Sequence, residues 1–184
     1  MTRVLDVLFS LFGLVLGLPF LVLPTLVGLF DAGLPIFRQE RVGRHQRPFT
    51  LVKFRTMKVD TASVPTHLAS SASITQFGHF LRRTKLDELP QLWNVLKGDM
   101  SLVGPRPGLF NQHELTHERE KRGVYAVPPG ITGLAQVNKI DMSTPALLAE
   151  TDQKMIQTLT LANYFKCIFQ TVSGKGGGDR VVKQ

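Results

Sequence analysis

Residues 7–30 read VLFSLFGLVLGLPFLVLPTLVGLF, and this stretch decides what kind of molecule the chain builds. It contains 24 residues and no charge. As a helix it would be about 36 Å long, enough to cross a hydrocarbon core of about 30 Å. A secretory signal has a shorter apolar core and ends at small residues; here the run ends Leu29-Phe30-Asp31. A simple span is also a poor fit. Pro19 and Pro24 fall inside the run, and each removes a helix hydrogen bond and crowds the preceding turn. Basic residues flank both ends, Arg3 before and Arg38, Arg41, Arg44 and Arg47 after, whereas a span prefers its positive flank on one side. A helix that breaks at Pro19 and returns to the side it entered satisfies both facts.

Outward from this run, the composition bounds the rest. The chain has 184 residues, 22 Lys plus Arg against 14 Asp plus Glu, and 43% apolar residues. Disorder needs lower hydrophobicity and more charge. The single cysteine, Cys167, excludes a disulfide scaffold. No Cys or His cluster has zinc spacing. Only one segment is apolar enough to enter a bilayer, which excludes a polytopic protein. There is no P-loop and no Gly-x-Gly-x-x-Gly motif.

Pro35 to Met57 reads as a β-hairpin turning at Gly43 to Gln46, with an alternating second strand from Phe49 to Phe54. From Arg38 to Lys58 there are seven basic residues against one acid, Glu40, a net +6 of the chain's +8. Lys53 and Arg55 share a strand face about 7 Å apart, a span suited to a diphosphate; a hairpin solvated beside an anionic membrane is the plainer alternative. Asp60 to Ser73 reads as a mobile loop, Thr75 to Arg83 as a short helix. A second helix begins close to Asp87, because Pro90 is tolerated only in a first turn, and Gly98 ends it. His113 to Arg122 reads as a charged, exposed helix. A turn and a short strand or loop follow at Val127 to Asn138, then a helix opened by Pro145. In a last helix Leu161, Phe165, Ile168, Phe169 and Val172 line one side; packing on the core and lying in a membrane interface remain open. The expected architecture is α+β: a re-entrant membrane hairpin at 1–34, an interfacial catalytic domain at 35–172 and a flexible basic tail at 173–184.

Asp87 and Glu88 are adjacent carboxylates at an exposed helix start, surrounded by Arg82, Arg83 and Lys85. Such a pair ordinarily complements the helix dipole. Beside a phosphate-sized basic face and a membrane-seeking segment, a sharper reading is available. One carboxylate attacks phosphorus and its neighbour helps hold Mg²⁺. Asp99, after Gly98, reads as a turn former.

Five segments together resemble the bacterial sugar transferases, small monotopic phosphoglycosyl transferases: Lys53–Met57, Leu86–Leu92, Asn94–Ser101, Val103–Pro107 and Pro129–Asn138. Each alone is weak, and all five in order are specific. The resemblance implies a re-entrant helix broken at a proline, here Pro19, and a catalytic dyad, here Asp87 and Glu88. It implies Mg²⁺, with Asp87 and Glu88 as the metal site. It implies transfer of a sugar-1-phosphate from a UDP-sugar to polyprenyl (undecaprenyl) phosphate with release of UMP. Lys53, Arg82 and Arg106 match basic positions of the family's site, Arg55 sits in the same segment as Lys53, and Gln136 and Asn138 are candidate sugar or nucleotide contacts. The implied setting is the cytoplasmic face of the bacterial inner membrane, upstream of other glycosyltransferases, with no nucleic-acid partner. Three positions depart from the usual pattern: Leu18 stands for Ser, Pro128 for Arg and Lys139 for Gly. Ser143 to Gln184 matches poorly, and sugar choice is expected to differ there. The competing readings are a non-catalytic, membrane-bound basic protein binding anionic lipid or nucleic acid, and a lipid-phosphate phosphatase. The acidic pair argues against the first.

Overall fold

The computed structural model describes residues 2–31, 33–59, 61 and 71–175. Most of the loop expected at 60–73, and nearly all of the expected basic tail, lie outside them.

The apolar run forms two helices, α1 (Thr2–Leu16) and α2 (Leu18–Asp31), bent by 59°. Among the described residues no single helix is long and apolar enough to cross a membrane; the bent pair together passes that test by length and composition. The break falls at Gly17 rather than at Pro19 itself. Gly17 N–H still closes α1 on the Gly13 carbonyl, and Leu21 N–H opens α2 on Gly17 O. Pro19 lies in the first turn of α2, where its missing N–H costs least, and its ring distorts the turn before it. The expected break is therefore displaced by two residues toward the N-terminus. Pro24 stays within α2.

The expected hairpin is present. β1 (Ile36–Val42) and β2 (Pro48–Phe54) pair antiparallel, Ile36 opposite Phe54 and Val42 opposite Pro48. A 3-10 turn at Arg44–Gln46 joins them. Then come α3 (Gln76–Thr84), capped by Thr75 Oγ1 accepting from Gly78 N–H at 2.9 Å, and α4 (Gln91–Lys97). Gly98 ends α4 at φ +95°, a conformation that suits glycine.

β3 (Ser101–Val103) pairs parallel with β4 (Gly130–Thr132), Ser101 opposite Gly130. Between them runs α5 (His113–Lys121), and after them α6 (Leu134–Val137), α7 (Pro145–Gln157) and α8 (Leu161–Val172). Lys139, after α6, has φ +61°, which gives the usual glycine there a steric reason.

The core is three clusters. Val103, Met155, Tyr164 and Cys167 join β3 to α7 and α8. Leu51, Val95 and Met100 join the hairpin to α4. Leu115, Ala135 and Leu148 join α5, α6 and α7. Asn94, fully buried, stitches α4 to β2: its amide donates to Thr50 O at 2.7 Å, and its oxygen accepts from Val52 N–H at 3.0 Å. Asp99 accepts from Lys97 and Asn94 and is the turn residue expected.

One expectation changes, and one left open is answered in part. α5 is not simply an exposed helix: Leu115 and Arg119 face inward and are buried. On α8, where core packing and a membrane interface were both open, Tyr164 and Cys167 are buried and Ile168 packs on the core, while Phe169 and Val172 are 73% and 82% exposed.

Both ends of the helix pair are fastened to the same body. Arg3 donates to Val95 O and Leu96 O at the end of α4, where carbonyls lack helix partners. Asp6, buried, accepts from Ser101 Oγ at 2.8 Å, Leu102 N–H at 2.9 Å and Tyr164 OH at 2.7 Å. Burial first, and then this carboxylate, push the Tyr164 hydroxyl pKa far up. At the other end Asp31 accepts from Thr75 Oγ1 at 2.6 Å. Between the ends α1 lies on α4. A Cβ at Gly13 would stand 2.9 Å from Leu92 Cδ1, so glycine there permits the close approach.

Candidate active site

Asp87 and Glu88 do not open α4. They sit in a 3-10 turn, Leu86–Glu88, which runs through Leu89 and Pro90 into α4. The bonds from Leu89 N–H to Leu86 O and from Trp93 N–H to Pro90 O are both three-residue closures. Pro90 has no N–H for the longer α-helical bond, and the tighter turn accommodates that. Upstream, Lys85 ends α3 in the left-handed region at φ +59°, reversing the chain. The pair is thus presented on a sharp corner between two helices. Asp87 is not exposed, as expected from a helix start, but 5% accessible. Glu88 is half-buried beside it.

Glu88 Oε1 accepts from Arg106 Nη2 at 2.9 Å. Arg106 reaches it from the Pro105-Arg106-Pro107 loop after β3, where a proline on each side restricts the backbone. That loop is held from below. Arg119 Nη1 donates to Arg106 O at 2.8 Å, while its Nε and Nη2 donate to Asp152 Oδ2 at 3.0 and 2.7 Å. Arg119 is 2% exposed and Asp152 fully buried. Burial pushes the Asp152 carboxyl up, against the opposing pull of Arg119.

β2, which carries the hairpin's basic face, packs against the Leu86–Glu88 turn. Lys53 and Arg55 share that face as the alternation requires: Lys53 Nζ and the Arg55 guanidinium lie 5.7 and 5.3 Å from the centre of the Phe37 ring. Arg55 also donates to Leu34 O at 2.9 Å. Arg82 donates through Nε to Thr56 Oγ1 at 2.9 Å. Gln136 lies on α6, which packs on α7 and α8, and Asn138 directly follows that helix. The Gln136 amide is buried without a hydrogen-bond partner, and Asn138 donates to Leu134 O. Sequence reasoning missed Asp6, Arg119 and Asp152. A lone charge at the edge of an apolar run signals Asp6; nothing local distinguishes Arg119 from its charged neighbours.

Among the described residues, no group of three or more His, Cys, Asp or Glu could hold a metal. Two adjacent carboxylates still suit Mg²⁺, which keeps waters and takes substrate phosphates as ligands.

The chain belongs to the bacterial sugar transferase family, whose profile matches residues 1–175. It is 37% identical to the UDP-glucose:undecaprenyl-phosphate glucose-1-phosphate transferase of Caulobacter vibrioides, over 92% of this chain and 67% of that protein. It is 48% identical to a putative undecaprenyl-phosphate N-acetylgalactosaminyl 1-phosphate transferase of Bacillus subtilis, over 57% of this chain and 60% of that protein. It is also 35% identical to the UDP-galactose-lipid carrier transferase of Erwinia amylovora, over 92% of this chain but 39% of that longer protein. The chain thus spans 60% and 39% of the last two relatives. The non-catalytic reading finds no support among these relatives.

Proposed function

We propose that the chain transfers a sugar-1-phosphate from a UDP-sugar to undecaprenyl phosphate at the cytoplasmic face of the bacterial inner membrane. The observation that carries this is the buried Asp87 beside an Arg106-paired Glu88, on a corner against which β2 packs. The names of the relatives supply the substrate classes.

In this reading the Asp87 carboxylate attacks the β-phosphorus of the UDP-sugar. The bond from that phosphorus to the bridging oxygen breaks, and UMP leaves with the electron pair. A phosphate oxygen of undecaprenyl phosphate then attacks the same phosphorus, and the Asp87 carboxylate leaves. Lys53, Arg55, Arg82 and Arg106 supply the positive charge that offsets the phosphates. Glu88, with Asp87, is the group to hold Mg²⁺, which when bound neutralises charge on the transferring phosphoryl group. The paired arginine keeps the Glu88 side chain in one orientation. The lipid-linked product is a substrate for further glycosyl transfer.

The hairpin is re-entrant in this reading, its two ends on one side of the membrane. The anchoring of Arg3, Asp6 and Asp31 to one body supports this. So do the exposed apolar flanks of α1, α2 and α8, which suit lipid contact.

The test is a screen of UDP-sugars for UMP release with undecaprenyl phosphate and Mg²⁺. Release that requires one UDP-sugar and ceases on chelation supports the proposal. Phosphate release without any sugar nucleotide would instead assign a lipid-phosphate phosphatase.

A further inference from the structure

A groove of about 380 Å³ borders the Leu86–Glu88 corner at Lys85, Glu88 and Leu89. Leu89, Leu92, Leu102, Ile131, Ile168 and Val172 give it apolar walls. One end is polar: Arg83, Lys85 and Glu88 border it there. Lys85 Nζ donates to Thr171 O and Lys175 O at 3.1 Å each, which fixes an ammonium group where α8 ends. The groove is therefore an apolar trough with a cationic head beside the candidate nucleophile.

Two further facts limit the occupant. The trough is continuous with the outward apolar side of α8, through Ile168 and Val172, and α8 meets α1 through an edge-on contact of Phe9 and Phe165 at 6.0 Å. An alkyl chain can thus enter from the apolar flank of the helix pair without crossing water. A ligand lying in it would carry its anionic head to the cations Arg83 and Lys85, beside Glu88 and close in sequence to Asp87. A UDP-sugar is polar throughout and has no group for these walls.

We infer that this groove seats the first isoprene units of the prenyl phosphate acceptor, with its phosphate at the Lys85 end. The inference rests on the proposed transfer and locates its second substrate. It gives α8, in the segment where the sequence departs from the family pattern, a role in choosing the acceptor chain.

Val172 is exposed, so its replacement does not threaten the fold. Val172→Asp places a charge on the groove wall, and Val172→Trp fills part of the trough. The full chain in detergent is assayed in two ways. Exchange of labelled UMP into UDP-sugar, without acceptor, reports the first half of the reaction. Turnover against prenyl phosphates of increasing chain length reports the second. Both variants should keep wild-type exchange, while KM for long-chain acceptors rises on the order of tenfold, about the value of two buried methylene groups. Unchanged KM for every acceptor in both variants would overturn the assignment. A prenyl phosphate bearing a photoreactive group on its second isoprene unit gives a readout independent of turnover. It should label the groove's own walls, on α4, β3, β4 or α8 or at Leu89, with competition by undecaprenyl phosphate; label confined to residues outside the groove also overturns the assignment. If wild type labels in the groove yet exchanges labelled UMP into none of the UDP-sugars, the site stands and the proposed transfer falls.

Discussion

Replacing Arg119 by Met tests whether the buried ion pair beneath the Arg106 loop supports the site. In the wild type the guanidinium makes two bonds to Asp152 and one to Arg106 O. Methionine keeps much of the side-chain length and removes all three donors. Asp152 is then a fully buried carboxylate with no counter-charge; its Oδ1 already lacks a hydrogen-bond partner. Breaking one side of such a pair costs about 3–5 kcal/mol. At roughly 2–4 °C per kcal/mol for a chain of this size, Tm should fall by about 10 °C. The loss should also depend on pH. With Arg119 gone, the folded pKa of Asp152 is raised still further above its unfolded value. The deficit therefore grows as pH rises from the unfolded toward the folded pKa, and shrinks on acidification. The double variant Arg119→Met/Asp152→Leu strands no charge and should recover most of the Tm. It still lacks the donor to Arg106 O, so KM for the UDP-sugar should stay raised. Thermal unfolding followed by Trp93 fluorescence, together with UMP-release kinetics, measures both. If the two single losses simply add in the double variant, the pair is not coupled. If the double variant recovers wild-type KM as well, Arg119 does not position Arg106.

Four shorter predictions follow from the same geometry. Asp87→Asn keeps the buried shape and removes the nucleophile, so turnover should fall by more than about a thousandfold with folding intact; activity within tenfold of wild type removes Asp87 from that role. Arg106→Lys exchanges a planar fork for a point charge at Glu88, and should raise KM for the UDP-sugar or lower kcat by about tenfold; wild-type kinetics would make the loop purely structural. Asp6→Leu leaves Ser101, Leu102 N–H and Tyr164 without their shared acceptor, and should lower Tm and make α1 more susceptible to protease; an unchanged digestion pattern refutes the anchor. Cys167 is buried, and burial pushes its thiol up, so a maleimide should label it only after denaturation. Rapid labelling of the native chain contradicts the packing of α8.

Much of the local structure was legible in the sequence. The β2 alternation put Lys53 and Arg55 on one face, and both lie over the Phe37 ring. Gly98 marked the end of α4, and the helices expected around residues 75–83 and after Pro145 are present as α3 and α7. These are short-range effects, in which a residue's own backbone preferences and its near neighbours decide the outcome. The uncharged run showed that a helix must break near Pro19, but not that the break would fall at Gly17. That shift depends on which turn absorbs the proline's distortion. Asp87 and Glu88 were found as a pair, though not as a buried corner, because Lys85 in the left-handed region and Pro90 together tighten the turn. The charges that matter most for packing were not recognisable. Asp6 binds residues about 95 and 158 positions away, and Arg119 finds Asp152 33 positions away on another helix. In sequence Arg119 is one of several charges on a polar helix. Burial selects it, and burial is a property of the assembled elements. The sequence by itself therefore determined the elements, the apolar hairpin and the chemistry available. Tertiary structure decided which charges are paired out of water, and where an apolar groove meets the carboxylates, because those depend on contacts between segments far apart in the chain.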